Sequence, residues 1–425
     1  MNKLQQIFAT KALRDKIIFT IFILIVFRIL AHITIPGADI QAIQQLLDSK
    51  GQSALGVFSM LTGGAMENFS IVLMGLTPYI NASIIMQLLA VIVPSVENLK
   101  KEGEAGQKKI SQYTRMLTVP LAFFQSYGMM SLINRFADQN NPIVDTSDPT
   151  IILPMMLIVT AGTLTVMWLG ELITEKGIGN GISLLIFAGI VSTVPQQIAG
   201  AFQSANPPVI IALIIATILL TIFVVYVSEG ERRVPVIYAS KKSSAQSRSF
   251  LPLKINQAGM IPIIFAVSLV SFPSILAQFM QDSSSVLLQN VASFIDVNLN
   301  PAAPSFWYNV FYALLIFGFT FFYVSMVFDP KKIAKNLQQR SGFIPGYRPG
   351  TETAKFLAKT TNHLCFWGGA FLAFVAIVPL LFQNWLSNGI ALFISGAGII
   401  IVVSVVLDII RRINAHLVMQ DYDKL

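Results

Sequence analysis

Side chains that could perform catalysis or bind a metal are few in this sequence and are far apart. The 3 histidines are His32, His363 and His416, and the single cysteine is Cys365. A helical zinc protease requires two histidines four residues apart beside a glutamate, and ATP hydrolysis requires a glycine-rich loop that ends in Lys and Ser or Thr. The sequence contains neither pattern. We therefore expect no enzyme activity, no cofactor and no metal site, and one cysteine excludes an intrachain disulfide.

The sequence also lacks the residues that are usual in a serine protease or an ion-coupled transporter. Ser395 has Phe393 two residues before it, where a nucleophilic serine would have a glycine. Coupled transporters place titratable groups near the middle of the bilayer. Here Arg28 is the one charge well inside an apolar run, while Glu171 and Asp408 lie near the ends of such runs. Arg28 could pair with backbone carbonyls or line a wet cavity.

The composition is that of a chain whose main solvent is lipid. Hydrophobic residues make up 54% of the sequence and charged residues only 12%, whereas soluble domains carry roughly 25% charged residues. A helix needs about 20 apolar residues to cross a hydrocarbon core roughly 30 Å thick. Hydropathy predicts ten such helices, at residues 17–35, 70–93, 115–134, 151–174, 182–202, 208–228, 257–280, 307–328, 362–383 and 388–410.

The positive charges predict one orientation for these ten helices. An even number of spans places both termini on the same side, and lysine and arginine concentrate in cytoplasmic loops. All but three of the 29 Lys and Arg residues fall in the termini and in the loops after the even-numbered spans. The exceptions are Lys50, Arg135 and Arg28. We therefore expect both termini to be cytoplasmic.

Two of the basic loops, 229–256 and 329–361, are longer than orientation requires. A net charge of +8 could indicate nucleic-acid binding, but positive charge beside the inner leaflet is explained by membrane orientation and anionic lipid. Long loops with their own composition usually carry function. We expect these loops to dock a cytosolic partner, with no direct nucleic-acid substrate.

Glycine and proline interrupt the two halves of the chain alike. The second span contains Gly75–Ile80 (GLTPYI) and the seventh contains Gly259–Ile264 (GMIPII), both of the form Gly-x-x-Pro-x-Ile. The fifth span opens with Gly179–Ile182 (GNGI), and the tenth contains Gly396–Ile399 (GAGI). A five-plus-five arrangement predicts an inverted repeat around a central path. Short matches of this kind could also arise by chance, because Gly and Pro are frequent in membrane helices.

Such a repeat divides the chain into an N-terminal half, 1–204, and a C-terminal half, 205–425. The positions expected to face the centre are mostly aliphatic. A constriction lined by aliphatic side chains excludes water and ions by dewetting, yet it can yield to a large apolar or mixed substrate. This pattern favours a channel over a solute transporter built on inverted repeats, and over a scaffold or receptor without a conducting path.

Several longer strings, in the same order, resemble the SecY family, which includes the Sec61 alpha subunits, along essentially the whole chain. The strings are Val26–Ile29 with Ile35–Gly37, Gly63–Ala65, Leu76–Ile85, Glu175–Ser183, Glu229–Pro235 with Leu251–Lys254, and Phe343–Gly350. Two departures are local: Leu30–His32 replaces smaller, more apolar residues, and Leu76 stands where isoleucine is common.

The resemblance implies an all-α integral membrane protein in which two five-helix halves form an hourglass channel. Six residues carried over by position would form its constriction: Leu76, Ile80, Ile182, Ile186, Ile264 and Ile401. A short external plug helix would occupy about residues 55–68. Its Gly63 and Gly64 would permit a mobile hinge, although glycines also mark static turns.

The resemblance also implies a lateral gate, formed where spans two and seven face spans three and eight. Its expected polar contacts are Asn81, Gln87, Gln125 and Ser268, each of which could instead be an ordinary helix–helix hydrogen-bonding residue. The basic residues expected to dock cytosolic partners are Arg232, Arg233, Lys241, Lys242, Arg248 and Arg348.

The function that the resemblance implies is a protein-conducting channel in the inner (cytoplasmic) cell membrane. It would pass unfolded secretory polypeptides outward and release hydrophobic segments into lipid. The implied partners are SecE and SecG subunits, the SecA motor ATPase, ribosomes, signal peptides, nascent polypeptides and membrane lipid.

Overall fold

The computed structural model shows a chain built mainly of helices. It describes residues 10–36, 64–66, 68–136, 144, 148–204, 207–238, 248–270, 273, 276, 277, 280, 285–299, 305–385 and 395–423. In this part of the chain the helices are α1 (Lys11–Leu30), α2 (Thr77–Ile92), α3 (Pro94–Lys101), α4 (Glu104–Phe136), α5 (Pro149–Lys176), α6 (Gly181–Ser204), α7 (Pro207–Glu229), α8 (Ile261–Val270), α9 (Val286–Asn298), α10 (Phe306–Val327), α11 (Pro330–Gln339), α12 (Thr351–Trp385) and α13 (Gly396–Asp423).

A helix lies within each of the ten segments predicted to cross the membrane, but these helices differ in length and hydropathy. By length and composition, 5 of the described helices could cross a membrane: Pro149–Lys176, Gly181–Gly200, Pro207–Glu229, Phe306–Gln339 and Thr351–Leu381. Helices α2 and α3 together could form one more span, bent by 98°. The chain is therefore a multi-pass membrane protein.

In two predicted spans the helix does not fill the predicted apolar run. Helix α1 ends at Leu30, and α2 begins only at Thr77. At residues 31–36 and 68–76 the chain is extended or turned, and the backbone N–H of Ile35 donates to the carbonyl of Phe69 at 3.0 Å. Pro36 disfavours helical geometry at the residue before it. Apolar character continues past the end of α1, so hydropathy alone placed this boundary too late.

The helices pack in the same order in the two halves of the chain. In the N-terminal half α2 packs on α4, α4 on α5 and α5 on α6; in the C-terminal half α8 packs on α10, α10 on α12 and α12 on α13. Between the halves, α2 packs on α8 and α6 packs on α13. These four helices carry the matched glycine and proline breaks.

Each half has its own hydrophobic core. In the N-terminal half the core surrounds Phe69 and Met130, and in the C-terminal half it surrounds Ile316 and Leu372. A further cluster contains buried residues of α1, α5 and α6 from the N-terminal half together with residues of α8 and α13 from the C-terminal half. The contact between the halves is therefore apolar at its centre.

A small antiparallel sheet joins the two long basic loops, in the strand order β2-β1-β3. Its strands are β1 (Glu231–Tyr238), β2 (Arg248–Lys254) and β3 (Gly342–Phe343). Strand β1 pairs with β2 in the first loop and with β3 in the second. The all-α expectation omitted this sheet. It also treated the two basic loops as separate, although the sheet joins them into one unit.

The sheet forms because β1 alternates between apolar and exposed positions. Val234 and Val236 are buried, whereas Arg233 and Pro235 are exposed, and a period of two is that of a half-buried strand. The buried face packs against α11 and α12 through Leu253, Leu337, Ile344 and Leu357. This alternation was the sequence signal that could have predicted the strand.

Candidate pore and lateral opening

The six residues expected at the constriction lie together in one hydrophobic cluster. Four are buried members of it and two are half-buried and pack against it: Leu76, Ile186, Ile264 and Ile401, and Ile80 and Ile182. They come from the first two turns of α2, α6, α8 and α13 or from the residue just before α2. Because none of them has a polar side chain, a closed contact among these residues could exclude water.

Helices α2 and α8 begin with the same local structure. Gly75 has a φ of +50° and Gly259 a φ of +64°, in the left-handed region that favours glycine. Each helix starts two residues after its glycine, and a proline is its second residue. Proline is accepted there because the first N–H groups of a helix have no partner within it. Ile80 and Ile264 are consequently both the fourth residue of their helices.

Helices α6 and α13 also start alike. The side-chain oxygen of Asn180 accepts from the N–H of Ile182 at 3.1 Å, and the hydroxyl of Ser395 accepts from the N–H of Gly398 at 3.0 Å. Both residues stand immediately before the first helical residue and serve as its N-cap.

A glycine is the first residue of each of these two helices because the preceding helix passes very close. A Cβ added to Gly181 would lie 1.9 Å from the carbonyl oxygen of Gly170 in α5. A Cβ added to Gly396 would lie 1.9 Å from the carbonyl oxygen of Val375 in α12. Only glycine allows this approach without displacement of the backbone.

The structure changes the register of this second sequence match. Counted from the helix starts, Gly396 corresponds to Gly181 and not to Gly179. Ile186 and Ile401 are then both the sixth residue of their helices. The residues expected at the constriction therefore include two equivalent pairs, Ile80 with Ile264 and Ile186 with Ile401.

Part of the predicted plug lies against the same cluster. Gly64, Ala65, Met66 and Asn68 belong to the described residues, whereas Gly63 and most of the range 55–68 lie outside them. Ala65 is fully buried and is a member of the cluster that contains the constriction residues.

Hydrogen bonds attach this segment to the end of α1. Asn68 donates to the carbonyl oxygen of Ala31 at 3.4 Å, and the hydroxyl of Ser70 donates to the carbonyl oxygen of Leu30 at 2.7 Å. The described end of the segment is thus held beside the end of α1.

The four polar residues expected at the lateral gate lie on helices that pack on one another. Asn81 and Gln87 are on α2, Gln125 is on α4 and Ser268 is on α8, and α2 packs on both α4 and α8. Gln87 donates to Ser83 of its own helix at 3.0 Å. Gln125 and Ser268 are buried, and the side-chain oxygen of Gln125 has no hydrogen-bond partner.

Within the described part of the chain, these four residues form no hydrogen bonds with one another. The boundary between α2 and α8 is apolar, with Ile80 and Ile264 in the shared cluster. Two helices that meet through apolar contact can separate without breaking a hydrogen bond.

The basic residues expected to dock a partner fall on the sheet and on a turn beside it. Arg232 and Arg233 are exposed on β1, and Arg233 pairs with Glu231 at 2.8 Å. Arg248 is the first residue of β2. Lys241 and Lys242 lie outside the described residues.

Arg348 is exposed on a turn whose backbone is held in place. Gly346 and Gly350 on either side have φ values of +86° and +103°. The carbonyl of Arg348 accepts from the hydroxyl of Thr353 at 2.9 Å, and the ring of Tyr347 lies 4.2 Å from that of Phe356. The turn, which follows β3 closely in the chain, thus leaves the side chain of Arg348 exposed.

Comparison with known proteins gives the family. A family model for SecY matches residues 70–410. Protein translocase subunits SecY from Thermotoga maritima and Vibrio cholerae are 39% and 38% identical to this chain. The matches cover 98% and 97% of this chain and 95% and 93% of those proteins. The chain belongs to the SecY family.

Solved structures agree with the fold of this SecY-family chain. A structure described as that of a protein-conducting channel matches with a TM-score of 0.64 at 19% identity, over 95% of this chain and 92% of the other. Sec61 from the canine ribosome–channel complex of the endoplasmic reticulum matches with a TM-score of 0.61 at 18% identity, over 95% and 92%. At these identities the likeness shows the fold.

Arg28, whose partner the sequence left open, bonds to a side chain on α6. Its guanidinium donates to the hydroxyl of Ser192 at 2.9 Å, and that hydroxyl donates to the carbonyl of Gly189 at 2.7 Å. Arg28 also lines an apolar groove of about 630 Å³ between α1 and α6, together with His32 and Ala188. Sequence reasoning did not find Ser192, because 164 residues separate it from Arg28.

A second group of charges missed by sequence reasoning connects the sheet to α13. Glu229, at the end of α7, pairs with Arg411, and Arg412 pairs with Asp408 at 2.8 Å. Burial of Lys254 at the end of β2, together with the nearby Arg411, lowers the pKa of that lysine. These contacts attach the basic loops of this SecY-family chain to α13.

Proposed function

We propose that this chain is the pore-forming subunit of a protein translocase, which passes unfolded secretory polypeptides across the membrane and releases hydrophobic segments into lipid. One observation carries the proposal: the apolar cluster that spans the two halves contains two pairs of isoleucines at equivalent positions of four helices. Such a ring excludes water and ions when closed, and it has no fixed polar group that would select a small solute.

The packing supports an inverted repeat of two five-helix halves, 1–204 and 205–425. Equivalent helices must meet at the axis that relates two repeats. Two pairs of equivalent helices pack across the boundary here, α2 with α8 and α6 with α13. A polypeptide would pass between these four helices, within a ten-span protein whose two termini and basic sheet are cytoplasmic.

Lateral release follows from the apolar contact between α2 and α8. Separation of these helices opens the central path toward lipid on one side. A polypeptide segment at such an opening partitions between water and hydrocarbon according to its hydropathy. Segments as apolar as the spans of this chain leave sideways, and polar segments continue across.

The segment at about 55–68 is proposed as a plug over the outer side of the closed ring. The burial of Ala65 within the cluster supports this role. The positive φ of Gly64, +77°, supports a turn that could move as a hinge.

The joined basic loops are proposed as the docking surface for a ribosome or for the SecA motor ATPase. The solved relatives include Sec61 in a ribosome–channel complex. Exposed arginines on a sheet and on a rigid turn suit phosphate and carboxylate groups of such partners. Membership of the family further supports association with SecE and SecG subunits and a location in the cell membrane, without catalysis by the chain itself.

Crosslinking of a stalled nascent chain tests the proposal. A photo-reactive residue at Ile80 or Ile264 should crosslink to the translocating polypeptide. The matched control is Ile222 of α7, which is exposed on the lipid-facing surface and should not crosslink. Absence of crosslinks at both pore positions, with export intact, would contradict a path through the cluster and would favour a role without a conducting path.

A further inference from the structure

Helix α9 presents an apolar face that the rest of the described chain does not cover. Along its length Ala292 is buried and Ile295 is half-buried, and this side packs on α10. The relative exposures of Leu287, Val291 and Phe294 are 77%, 46% and 64%. These three residues are spaced by four and three positions, so they lie on one face of the helix.

Another side of α9 carries polar residues. Gln289 and Ser293 are both exposed, and the hydroxyl of Ser293 donates to the carbonyl of Gln289 at 2.8 Å. At 100° per residue Gln289 lies roughly opposite Leu287, and Ser293 lies about 100° from Phe294, beside the exposed Val286 and Val297. The exposed surface of the helix therefore has one apolar side and one side on which polar residues stand beside two valines.

Helix α9 is too short to cross a membrane. Its 13 residues extend for about 20 Å at 1.5 Å per residue, whereas the hydrocarbon core is roughly 30 Å thick. A short helix with one apolar and one polar face is suited to lie in the plane of a membrane interface.

Contacts with α10 place α9 at the depth of the interface. The hydroxyl of Ser305 donates to the carbonyl of Asn298 at 2.6 Å and accepts from the N–H of Tyr308 at 3.2 Å, so one side chain joins the end of α9 to the start of α10. The first residues of α10, Phe306 and Trp307, are 72% and 61% exposed. Exposed aromatic residues at the end of a span mark the boundary between lipid and water.

From these observations we propose that α9 is an interfacial helix whose Leu287, Val291 and Phe294 insert into the outer leaflet. The helix sequence VLLQNVASFIDVN contains no lysine or arginine. Insertion is therefore driven by apolar contact and requires no anionic lipid, in contrast to basic interfacial helices. The helix follows α8 in the chain, so it anchors the outer side of the lateral opening to the bilayer surface.

Fluorescence quenching by lipid tests this assignment on the full chain. Single cysteines replace Leu287, Phe294, Gln289 or Ser293 in a Cys365→Ala background, and each is labelled with an environment-sensitive fluorophore. The labelled protein is reconstituted in phosphatidylcholine vesicles with or without brominated acyl chains. Labels at 287 and 294 should emit at shorter wavelength and be quenched several-fold more than the matched labels at 289 and 293, equally with and without added phosphatidylglycerol.

Three results would overturn the assignment. Equal quenching at all four positions would show that no face is inserted. Blue-shifted but unquenched labels at 287 and 294 would show that protein covers the face, from a second copy or another chain. Quenching only with phosphatidylglycerol would show a charge-driven contact. None of these measurements requires translocation, so they stand apart from the proposed channel function.

Discussion

Equivalent isoleucines from the two halves form the proposed seal, and they are the residues at which a small chemical change should have the largest effect. Ile80 and Ile264 occupy the same position of α2 and α8, and both belong to the apolar cluster. A polar group placed there lacks a partner while the ring is closed. At the buried Ile264 an unpaired amide costs about 1–3 kcal/mol, and at the half-buried Ile80 it costs less. Each 1.4 kcal/mol changes an equilibrium roughly tenfold.

Ile80→Asn and Ile264→Asn should each raise the resting ion leak and relax the selection of signal sequences. The amide favours hydration of a constriction that isoleucine keeps dry. Single-channel recording and export of substrates with defective signal sequences measure the two effects. The matched controls are Ile80→Leu and Ile264→Leu, which keep the volume and the apolar character. A parental leak and parental export in both asparagine variants would remove these residues from the constriction.

Arg348 tests whether the turn beside the sheet recognises a partner. Its fork of donors suits a carboxylate or phosphate bidentately, and lysine cannot reproduce that geometry. Arg348→Lys should therefore slow motor-driven translocation several-fold, and Arg348→Glu should slow it further. The measurement is translocation into vesicles at matched channel level and topology. A parental rate for Arg348→Lys argues against bidentate recognition, and a parental rate for Arg348→Glu argues against docking at this turn.

Close contacts at the helix starts set how the four central helices meet. Gly181 and Gly396 each allow a carbonyl oxygen of the preceding helix to approach more closely than a Cβ would permit. The ring residues follow within two turns of these contacts. A shift at either start would move Ile186 or Ile401 out of the cluster.

Gly181→Ala and Gly396→Ala should destabilise the protein. The added Cβ must displace backbone at 1.9 Å, and overpacking of this kind costs about 1–3 kcal/mol. Thermal unfolding in detergent measures the loss. The matched control is Gly318→Ala, where a Cβ meets nothing within 4 Å and where alanine should be neutral or stabilising by about 0.5–1 kcal/mol. Equal melting temperatures for all three variants would show that the helix starts tolerate displacement.

Removal of the segment from Leu55 to Glu67 should raise the resting conductance but preserve translocation. The aliphatic ring remains after the deletion, so the narrowest point of the path is unchanged. Only the outer cover of the ring is lost. Single-channel recording and vesicle export measure the two properties. A deletion variant as tight as the parent would show that this segment is only a linker.

The arrangement of charge across the whole molecule predicts which of its surfaces face the cytosol. The sheet, α11 and the C-terminal part of α13 together carry nine lysine and arginine residues, whereas α9, in the loop after the predicted seventh span, carries none. Positive residues remain on the cytoplasmic side during insertion. The basic surface and α9 should therefore be on opposite sides.

Labelling from each side of the membrane tests this orientation. In a Cys365→Ala background, Gln338→Cys on α11 should react with an impermeant maleimide in inside-out vesicles, and Ser293→Cys on α9 should react in right-side-out vesicles. Each variant is the control for the other. Reaction of both from the same side would contradict the ten-span topology.

Local features were sufficient to predict the membrane class, the family and the composition of the proposed constriction. Hydropathy identifies a span from about 20 consecutive residues. The Gly-x-x-Pro matches predicted similar breaks in two spans, and in the structure each break precedes a helix start of the same local form. The sheet was missed although Val234 and Val236 alternate with exposed residues. Its short strands lie in loops where charge and turn residues dominate the composition.

Contacts between distant residues required the folded chain. Local pattern carries no information on the pairing of Arg28 with Ser192, on the joining of two basic loops by β3, or on the correspondence of Gly396 with Gly181. Each depends on which surfaces come together after the helices form, and the backbone approaches at Gly181 and Gly396 exist only in that packing. The sequence alone therefore specified a membrane protein with aliphatic residues at its helix breaks, and packing in three dimensions brought those residues into one cluster.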